Sequence, residues 1–394
     1  MNSPTQICRH FGECGGCRFQ DLPYQSQLRE KESLCRRLQD EAAIETPIRP
    51  IIPSPRIFHY RNKMEFSFGE ESGETVCGLH RRDRRRSIFP VSECLISSPD
   101  TGTIVSAAAA FSRRAGTPAY DPYRHRGFWR NLVIRESKSA GVFMVNLVTS
   151  SQGELDREGF LSALGEIPAG DRIASVIHTV NDSPANAVVP EKWAVLRGEP
   201  FLEEKISGLT FRIPPFSFFQ VNPAIMETFY RELKEFLALG GREKILDVFS
   251  GSGTIGLVLA EGAESILGIE IDPEAIVTAR FNARLNRKDN LSFRQGQAAR
   301  VLAENRRLWP GRFDLVIVNP PRSGISKKLA RRLLELRPER IVYSSCNPRT
   351  FFPQAGLLAD LYRPVILQPF DFFPHTPHLE MLAVFQRFDT PELD

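Results

Sequence analysis

A cysteine near the C-terminus occupies a position where it could act as a nucleophile. Cys346 follows the apolar run RIVY directly, within the segment YSSCNPRT. The carboxyl ends of sheet strands are where α/β enzymes place reactive groups, and an activated thiol can form a covalent intermediate. A buried, inert thiol is the common alternative for a lone cysteine. Position alone therefore leaves both interpretations of Cys346 open.

The segment DFFPHTPHLE, which ends at Glu380, concentrates acids and histidines just before the last apolar run. His375, His378 and Glu380 could ligate a metal, but no fourth partner is obvious. A carboxylate or an imidazole can instead move a proton as a general acid or base. The acid–base role is the one that we expect here.

A glycine-rich turn indicates a nucleotide-like ligand. The segment DVFSGSGTIG, from Asp247 to Gly256, places GxGxxG after an apolar strand, and Glu270 ends the next strand. Glycines let the backbone approach a ligand, and an acid at the second strand tip can bind ribose hydroxyls. A dinucleotide, S-adenosylmethionine and a turn that only packs all fit this pattern. The acid within DVFSGSG favours the methyl donor.

The tetrapeptide NPPR, from Asn319 to Arg322, follows the apolar strand FDLVIV. Two prolines make a stiff loop that directs a polar side chain and backbone carbonyls outward. Enzymes that methylate amino groups usually carry an aromatic residue where this chain has Arg322. An adenine or cytosine amino target is therefore disfavoured, and carbon methylation stays open. An NAD-dependent oxidoreductase would explain the glycines but neither NPPR nor SSCNPRT.

Cysteines also cluster at the N-terminus. The chain has seven cysteines, and an odd number argues against a disulfide framework and for metal binding or chemistry. From spacing alone, four thiolates favour zinc. Cys77 competes for the fourth position, and Cys35 is predicted to lie on a helix face. Cys8, Cys14 and Cys17 lie within ten residues of one another.

Charge supports a nucleic-acid partner without establishing one. The net charge is +4, but residues 1–130 hold 20 Lys and Arg against 15 Asp and Glu. The excess lies in HRRDRRR (80–86) and RHRGFWR (124–130), which suit a phosphate backbone or a solvated loop. The sequence shows neither a signal peptide nor a membrane-length apolar run, so we expect a cytoplasmic protein that does not bind membranes.

The pattern of elements predicts an α/β protein with three parts. Residues 206–394 alternate strands and helices, which predicts a doubly wound, Rossmann-like sheet, its last run forming an antiparallel edge hairpin. Residues 56–205 are predicted to form a mostly β central domain, with strand patterns from Ile57 to about Val148 and beyond. Residues 1–55 are predicted to form a cysteine segment and a helix, joined by Cys94 from the next region.

Several motifs in the same order resemble the RNA 5-methyluridine methyltransferase family, which modifies 23S rRNA and tRNA. They are CGGCRFQDLPYQSQLREK, HYRNKMEFSFG, FFQVNP, DVFSGSGTIG, VNPPRSGI, SSCNPRT and DFFPHTPHLE, and they cover nearly the whole chain. The resemblance implies that the 206–394 domain is a methyltransferase and that the central domain binds RNA. It also implies that Cys346 attacks carbon 6 of uracil and that Glu380 later removes the carbon 5 proton.

The resemblance assigns further roles. Arg322 would position or polarise the uracil, which must be flipped out of its stack, and Phe218 or Phe219 could stack on displaced bases. The residues implied to contact S-adenosylmethionine or the target base are Gln220, Phe249, Glu270 and Asn319.

The resemblance also narrows the cofactor and the substrate. Cys8, Cys14, Cys17 and Cys94 resemble the four ligands of the family's [4Fe–4S] site, so the resemblance implies that they hold such a cluster. Asn319, where many members have Asp, is typical of a subgroup that acts on 23S rRNA, so rRNA is expected and tRNA is the alternative. Because the cysteines lie so near the start of the sequence, we expect no β-barrel domain of the kind that some relatives carry in front of them, and we expect a monomer. Thr254 stands where Asn is common, and an iron–sulfur RNA-binding protein without catalysis is the non-enzyme alternative.

Overall fold

The fold is taken from a computed structural model of the 394-residue chain. The structure describes residues 7–84, 87–184, 190–304, 309 and 312–388. Across these residues, no helix has both the length and the apolar character that a membrane crossing requires.

The helices are α1 (Tyr24–Glu41), α2 (Pro99–Ala115), α3 (Arg157–Gly165), α4 (Pro223–Leu237), α5 (Thr254–Leu259), α6 (Pro273–Leu285), α7 (Ala298–Glu304), α8 (Lys327–Leu336) and α9 (Pro348–Ala355). The strands of the first half are β1 (Lys63–Glu71), β2 (Glu74–His80), β3 (Ile88–Pro90), β4 (Trp129–Ser137), β5 (Val142–Thr149), β6 (Ile173–Val180), β7 (Lys192–Arg197), β8 (Leu202–Ile206) and β9 (Leu209–Ile213). Those of the second half are β10 (Lys244–Val248), β11 (Ser265–Glu270), β12 (Leu291–Gln295), β13 (Leu315–Val318), β14 (Arg340–Ser345), β15 (Tyr362–Phe370) and β16 (Glu380–Arg387).

The chain divides into two compact units. The β-rich unit comprises Met1–Pro23, Arg56–Glu204 and Arg212–Pro223, and the α/β unit comprises Tyr24–Pro55, Lys205–Phe211 and Ala224–Asp394. This division differs from the three predicted ranges, because the cysteine segment joins the central domain while residues 24–55 join the C-terminal one.

The β-rich unit is built on a seven-stranded sheet in the order β3-β2-β1-β4-β5-β6-β7. Its pairs are antiparallel except β5 with β6. Alternate side chains of β1 and β4, such as Phe66 opposite Leu132, point into one apolar core. The strands predicted at KMEFSFG, WRNLVIRES, GVFMVNLVTS and ASVIHTV all form.

One element of this unit differs from the sequence prediction. The strand-rich region contains α2, with Pro99 in its first turn, four successive alanines inside it and Gly116 at its C-terminus with φ 66°. Proline starts helices, alanine favours them, and a left-handed glycine ends them. The sequence therefore contains local helix signals at α2. The strand patterns on both sides of this segment led to the prediction of a mostly β region instead.

The α/β unit confirms the predicted doubly wound sheet. Its strand order is β12-β11-β10-β13-β14-β16-β15, with β10 to β14 parallel and β16 antiparallel to both of its neighbours. The strand order reverses at β10, which is where such sheets bind ligands beyond the carboxyl ends of their strands. Because β16 runs the opposite way, it begins at the edge where β10, β11, β13 and β14 end.

Residues 24–55 pack against the last hairpin, which explains why they belong to this unit. The Lys31 ammonium lies 2.5 Å from the Asp371 carboxylate, and both side chains are fully buried. The Tyr24 hydroxyl donates a second hydrogen bond to Asp371 at 2.9 Å. Ile52 bridges to Phe370 in a parallel arrangement.

Candidate active site

The antiparallel register of β14 and β16 brings Cys346 and Glu380 together. Ser344 pairs with Leu382 and Ser345 with Met381, so the next position in this register sets Cys346 opposite Glu380. Directly opposite residues in an antiparallel pair have Cβ atoms about 4.5–5.5 Å apart when the strands continue. The two predicted catalytic side chains are therefore neighbours, although 34 positions separate them in the chain.

Glu380 is a buried acid with one oxygen unused. The Ser344 hydroxyl donates to its Oε1 at 2.5 Å, whereas its Oε2 has no hydrogen-bond partner among the described residues. Burial raises the pKa of this carboxyl to about 7, and the Ser344 hydrogen bond opposes that rise. A carboxyl with a pKa near neutral pH is suited to accept a proton.

Cys346 is half-buried beside this acid. Burial raises the pKa of its thiol, and the nearby Glu380 carboxylate raises it further. The Arg322 guanidinium lowers it through its charge and a hydrogen bond. Arg322 is therefore the group of this site that favours the reactive thiolate.

The loop that carries Arg322 is held by the first turns of α9. The Asn347 amide and the Thr350 hydroxyl both donate to the Arg322 carbonyl oxygen, at 3.4 and 3.2 Å. The Gln354 side chain bonds the Ser323 carbonyl and the Ile325 amide, at 3.1 and 2.7 Å. The SSCNPRT motif thus positions both the cysteine and the NPPR loop.

The exposed face of this loop contacts His378. In the sequence this histidine is one of a cluster of acids and histidines and has no separate predicted role. Arg322 Nη2 lies 3.0 Å from His378 Nδ1. Arginine can only donate, so His378 accepts this bond through an unprotonated nitrogen. His378 therefore belongs to the site through Arg322.

The rest of the acid and histidine cluster serves the fold. His375 Nδ1 lies 3.1 Å from the Gln27 amide nitrogen, and its backbone N–H donates to the Gln27 oxygen at 2.8 Å. Asp371 is paired with Lys31. The His375 side chain is thus buried against α1, and an acid–base role for it stays a prediction.

The glycine turn after β10 leaves backbone accessible to a ligand. Phe249 has φ 63°, a left-handed value that costs a non-glycine residue roughly 1–2 kcal/mol. Gly251 has φ 53° and open space where a Cβ would be. A Cβ on Gly253 would lie 3.0 Å from the Phe293 ring, so this glycine permits close packing.

Glu270 is held at the adjacent strand tip by backbone amides. Its carboxylate accepts from the N–H groups of Gly251, Ile271 and Asp272 at 3.0, 2.7 and 3.0 Å. These bonds orient the half-buried acid beside the glycine turn, where ribose hydroxyls could be bound.

Two further polar side chains lie at the ends of the turn, Asp247 before it and Thr254 after it. Burial raises the pKa of Asp247 to about 7, while a hydrogen bond from the Gly256 backbone lowers it and the Glu270 charge raises it. The Thr254 hydroxyl bonds the buried Tyr230 hydroxyl. Thr254, whose role the sequence left open, therefore has an internal partner.

Asn319 lies at the end of the strand on the other side of β10. It follows β13 directly, is half-buried, and its backbone N–H donates to the Val248 carbonyl at 3.4 Å. Phe249, Glu270, Asn319 and Cys346 thus follow four parallel strand ends along one sheet edge.

The remaining predicted ligand contacts belong to the β-rich unit. Asn62 donates to the Gln220 carbonyl oxygen at 3.1 Å. Phe218 is 73% exposed and Phe219 only 4%, so Phe218 is the residue of this pair that could stack on a base. The contacts predicted for Gln220 stay predictions.

The four N-terminal cysteines predicted as ligands line one cavity in the β-rich unit. Cys8, Cys14, Cys17 and Cys94 all line it. Burial raises the pKa of Cys94, Cys14 and Cys17, the last to about 12. Within the described ranges, however, no group of His, Cys, Asp or Glu side chains could hold a metal ion.

The competing cysteines are excluded from this cavity. Cys77 is 1% exposed, packs in the core of the β-rich unit and is not among the residues that line the cavity, which favours Cys94 as the fourth predicted ligand. Cys35 is completely buried in the core of the α/β unit.

The two basic clusters are only partly free for phosphates. Arg81 pairs with Glu13 and Glu71, and Arg82 donates to the Cys17 carbonyl at 2.7 Å. Arg130 is buried and donates to the Asn181 carbonyl at 2.7 Å. Arg84, Arg124 and Arg126 are exposed, whereas Arg85 and Arg86 lie outside the described residues.

The chain is similar to known RNA methyltransferases. Residues 201–387 match the sequence model described as tRNA (uracil-5-)-methyltransferase. An uncharacterized RNA methyltransferase of Caldanaerobacter subterraneus is 35% identical over 391 residues, which are 98% of this chain and 86% of that protein. One of Clostridium tetani is 35% identical over 387 residues, covering 97% and 84%.

A solved structure is similar over both units. The Pyrococcus abyssi tRNA (uracil-54, C5)-methyltransferase, in complex with S-adenosyl-L-homocysteine, has 29% sequence identity and a TM-score of 0.76. The alignment covers 96% of this chain and 88% of that one.

Proposed function

The chain belongs to the RNA uracil-C5 methyltransferase family, and we propose on that premise that Cys346 and Glu380 carry the transfer of a methyl group to carbon 5 of a uridine. One observation supports this assignment above the others: the register of β14 and β16 sets the two side chains opposite each other. A thiol and a base in reach of each other are what covalent catalysis requires.

The reaction proceeds through a covalent bond to the RNA. The Cys346 thiolate attacks carbon 6 of the flipped uracil, and the electrons of the C5–C6 double bond move towards carbon 5 and the O4 carbonyl. S-adenosylmethionine, when bound, would supply the electrophilic methyl group: its sulfur–methyl bond breaks as the bond to carbon 5 forms, and S-adenosylhomocysteine is the leaving group. Glu380 then accepts the proton from carbon 5, the C5–C6 double bond forms again, and the thiolate leaves.

The environment of each group suits its step. Arg322 favours the thiolate before attack, since its guanidinium lowers the pKa of Cys346. The free Oε2 of Glu380 is available for the proton, while Ser344 holds the other oxygen. The donor would be held by Phe249, Glu270 and Asn319 along the strand ends, with Gln220 as the fourth predicted contact.

For the substrate, 23S rRNA is proposed and tRNA is the second candidate. Asn319 in the NPPR loop supports rRNA, because Asn at this position resembles the rRNA subgroup. The similarity to the Pyrococcus abyssi enzyme, whose name gives a tRNA target, favours the second candidate. In either case the exposed Arg84, Arg124 and Arg126 suit phosphate contacts.

A [4Fe–4S] cluster is proposed for the cavity lined by Cys8, Cys14, Cys17 and Cys94. Four convergent thiols fit such a cluster, whose iron atoms each take one thiolate. Zinc, held by four thiolates in a tetrahedral site, is the alternative that the cysteine spacing leaves open. The cluster's part here would be to hold residues 8–17 against β2 and the Cys94 loop.

One experiment tests the activity and the substrate together. Purified protein is incubated with labelled S-adenosylmethionine and separate pools of unmodified 23S rRNA and tRNA, followed by nucleoside mass analysis. 5-Methyluridine in 23S rRNA is the expected result. Label in tRNA alone would keep the reaction and overturn the rRNA assignment, and absence of label from both pools would overturn the enzymatic proposal.

A further inference from the structure

Two buried side-chain nitrogens line the four-cysteine cavity and have no hydrogen-bond partner in the part of the chain that the structure describes. The first belongs to Gln20, whose side chain is 0% exposed. Its Oε1 accepts from the Cys8 backbone N–H at 3.0 Å, but its Nε2 has no hydrogen-bond partner in the described part of the chain. The Cys8 contact fixes the amide, so the NH₂ group is held in place beside the cavity.

The second nitrogen is Nε2 of His10, which donates a hydrogen bond when it carries the proton of the ring. Its ring packs on Phe89 with the ring centroids 5.4 Å apart, and it lines the same cavity. His10 Nε2 is buried and, like Gln20 Nε2, finds no partner in residues 7–84, 87–184, 190–304, 309 and 312–388. Buried polar groups in folded proteins are nearly always paired, so each orphan needs an explanation.

The surroundings identify the kind of acceptor that is missing. The Gly16 backbone N–H already donates to Cys14 Sγ at 3.4 Å, and the Cys94 sulfur accepts from the backbone of Ile96 and Ser97. The positive charges of Arg82 and Arg61 act on Cys14 and Cys17, respectively. Donors and cations therefore converge on the sulfur atoms of the four cysteines.

We propose that Gln20 and His10 donate N–H···S hydrogen bonds to the sulfur atoms of the cluster and thereby raise its reduction potential. The inference rests on the proposed function, in which Cys8, Cys14, Cys17 and Cys94 hold a [4Fe–4S] cluster. Hydrogen bonds to cluster sulfurs are among the factors that set the potential. Their effect is upward because they stabilise the more negative, reduced state.

The test compares two variants with a control after anaerobic reconstitution with iron and sulfide. His10→Phe keeps the ring on Phe89 and removes the donor. Gln20→Glu keeps the acceptor for the Cys8 backbone N–H and removes the NH₂ group. Because the negative charge of the new carboxylate by itself also lowers the potential, His10→Phe is the variant that decides whether the donor matters. Leu79→Met changes an apolar residue of the same cavity and is the control.

Iron and sulfide content and the midpoint potential are measured for each protein. The expected result is four irons per chain throughout, a more negative midpoint in both variants, a larger shift in the double variant, and no shift in Leu79→Met. A loaded His10→Phe protein with the wild-type midpoint would overturn the donor role and leave the cluster standing. Wild-type protein that takes up no iron, or one zinc ion instead, would overturn the cluster itself.

A measurement on the wild-type protein keeps the inference testable if the variants do not fold. Electron–nuclear double resonance of the reduced cluster, in protein labelled with ¹⁵N-histidine, is expected to show a ¹⁵N coupling. Absence of that coupling from a fully loaded protein would contradict the contact from His10.

Discussion

The Ser344 hydroxyl donates to Oε1 of Glu380 at 2.5 Å, and both residues are buried. Because Oε2 has no partner among the described residues, the carboxylate is held by one oxygen and free at the other. This arrangement orients a proton acceptor without occupying it, and it determines how the site should respond to substitution.

Glu380→Gln is expected to stop the reaction after methyl transfer. The amide oxygen can still accept from Ser344, but the side chain cannot take the carbon 5 proton, so turnover falls by at least about 10²-fold. A covalent protein–RNA adduct should accumulate as a slow band on a denaturing gel. Cys346→Ala with Glu380→Gln is the control and should give no band. An adduct-free Glu380→Gln protein would contradict the assignment of the base.

The rate of proton removal should rise with pH through the pKa of Glu380. Burial raises that pKa to about 7, and only the deprotonated form can act as the base, so the rate increases as the pH passes about 7 and then levels off. Ser344→Ala removes the hydrogen bond that lowers this pKa, so its profile moves to higher pH. Tritium release from RNA labelled at carbon 5 of uridine gives both profiles. Identical profiles would show that Ser344 does not tune the acid.

Arg322→Gln is expected to make Cys346 less reactive even without RNA. The guanidinium lowers the pKa of the thiol, so its loss leaves less thiolate at pH 8. Alkylation of Cys346 by iodoacetamide, followed by peptide mass analysis, should slow several-fold. Arg331→Gln on the exposed side of α8 is the matched control. An unchanged rate in Arg322→Gln would limit Arg322 to contacts with the RNA.

The buried pair of Lys31 and Asp371 should be important for the stability of the α/β unit. Lys31→Met leaves an unpaired buried carboxylate, which costs about 3–5 kcal/mol in the free energy of unfolding. Adding Asp371→Asn removes that charge and keeps an oxygen for Tyr24, so part of the loss should be recovered. Urea unfolding followed by circular dichroism measures both. A single variant as stable as the wild type would contradict the role of the pair.

Exposed and internal arginines should differ in their effect on RNA binding. Arg124→Gln with Arg126→Gln removes two exposed cations, so the slope of log affinity against log salt should decrease by about 1–2. Arg130→Gln, at a buried position, should lower stability instead. Filter binding over a salt series and thermal unfolding separate the two effects. An unchanged slope in the double variant would identify a solvated loop.

The sequence by itself determined the elements whose signals are local. Apolar strands followed by glycine turns and helices predicted the doubly wound sheet, since the periodicity of each element lies within a short stretch of chain. The same logic placed Glu270, Asn319 and Cys346 at strand ends. The cysteine spacing, with the family resemblance, selected the four thiols that line one cavity. The helix signals within α2 are equally local, but the strand patterns on both sides of it led to the prediction of a mostly β region.

Only the tertiary structure decided which of these side chains contact one another and which form hydrogen bonds or ion pairs that stabilise the fold. Glu380 faces Cys346 because β16 runs antiparallel beside β14, and strand register is a long-range property. Asp371 and His375 look as suitable for chemistry as Glu380 until α1 packs on them with Lys31 and Gln27. Clustered arginines are indistinguishable in a sequence, yet Arg82 and Arg130 bond internal carbonyls while Arg124 faces solvent. Charge and residue type are local, but burial and hydrogen-bond partners depend on segments distant in the chain.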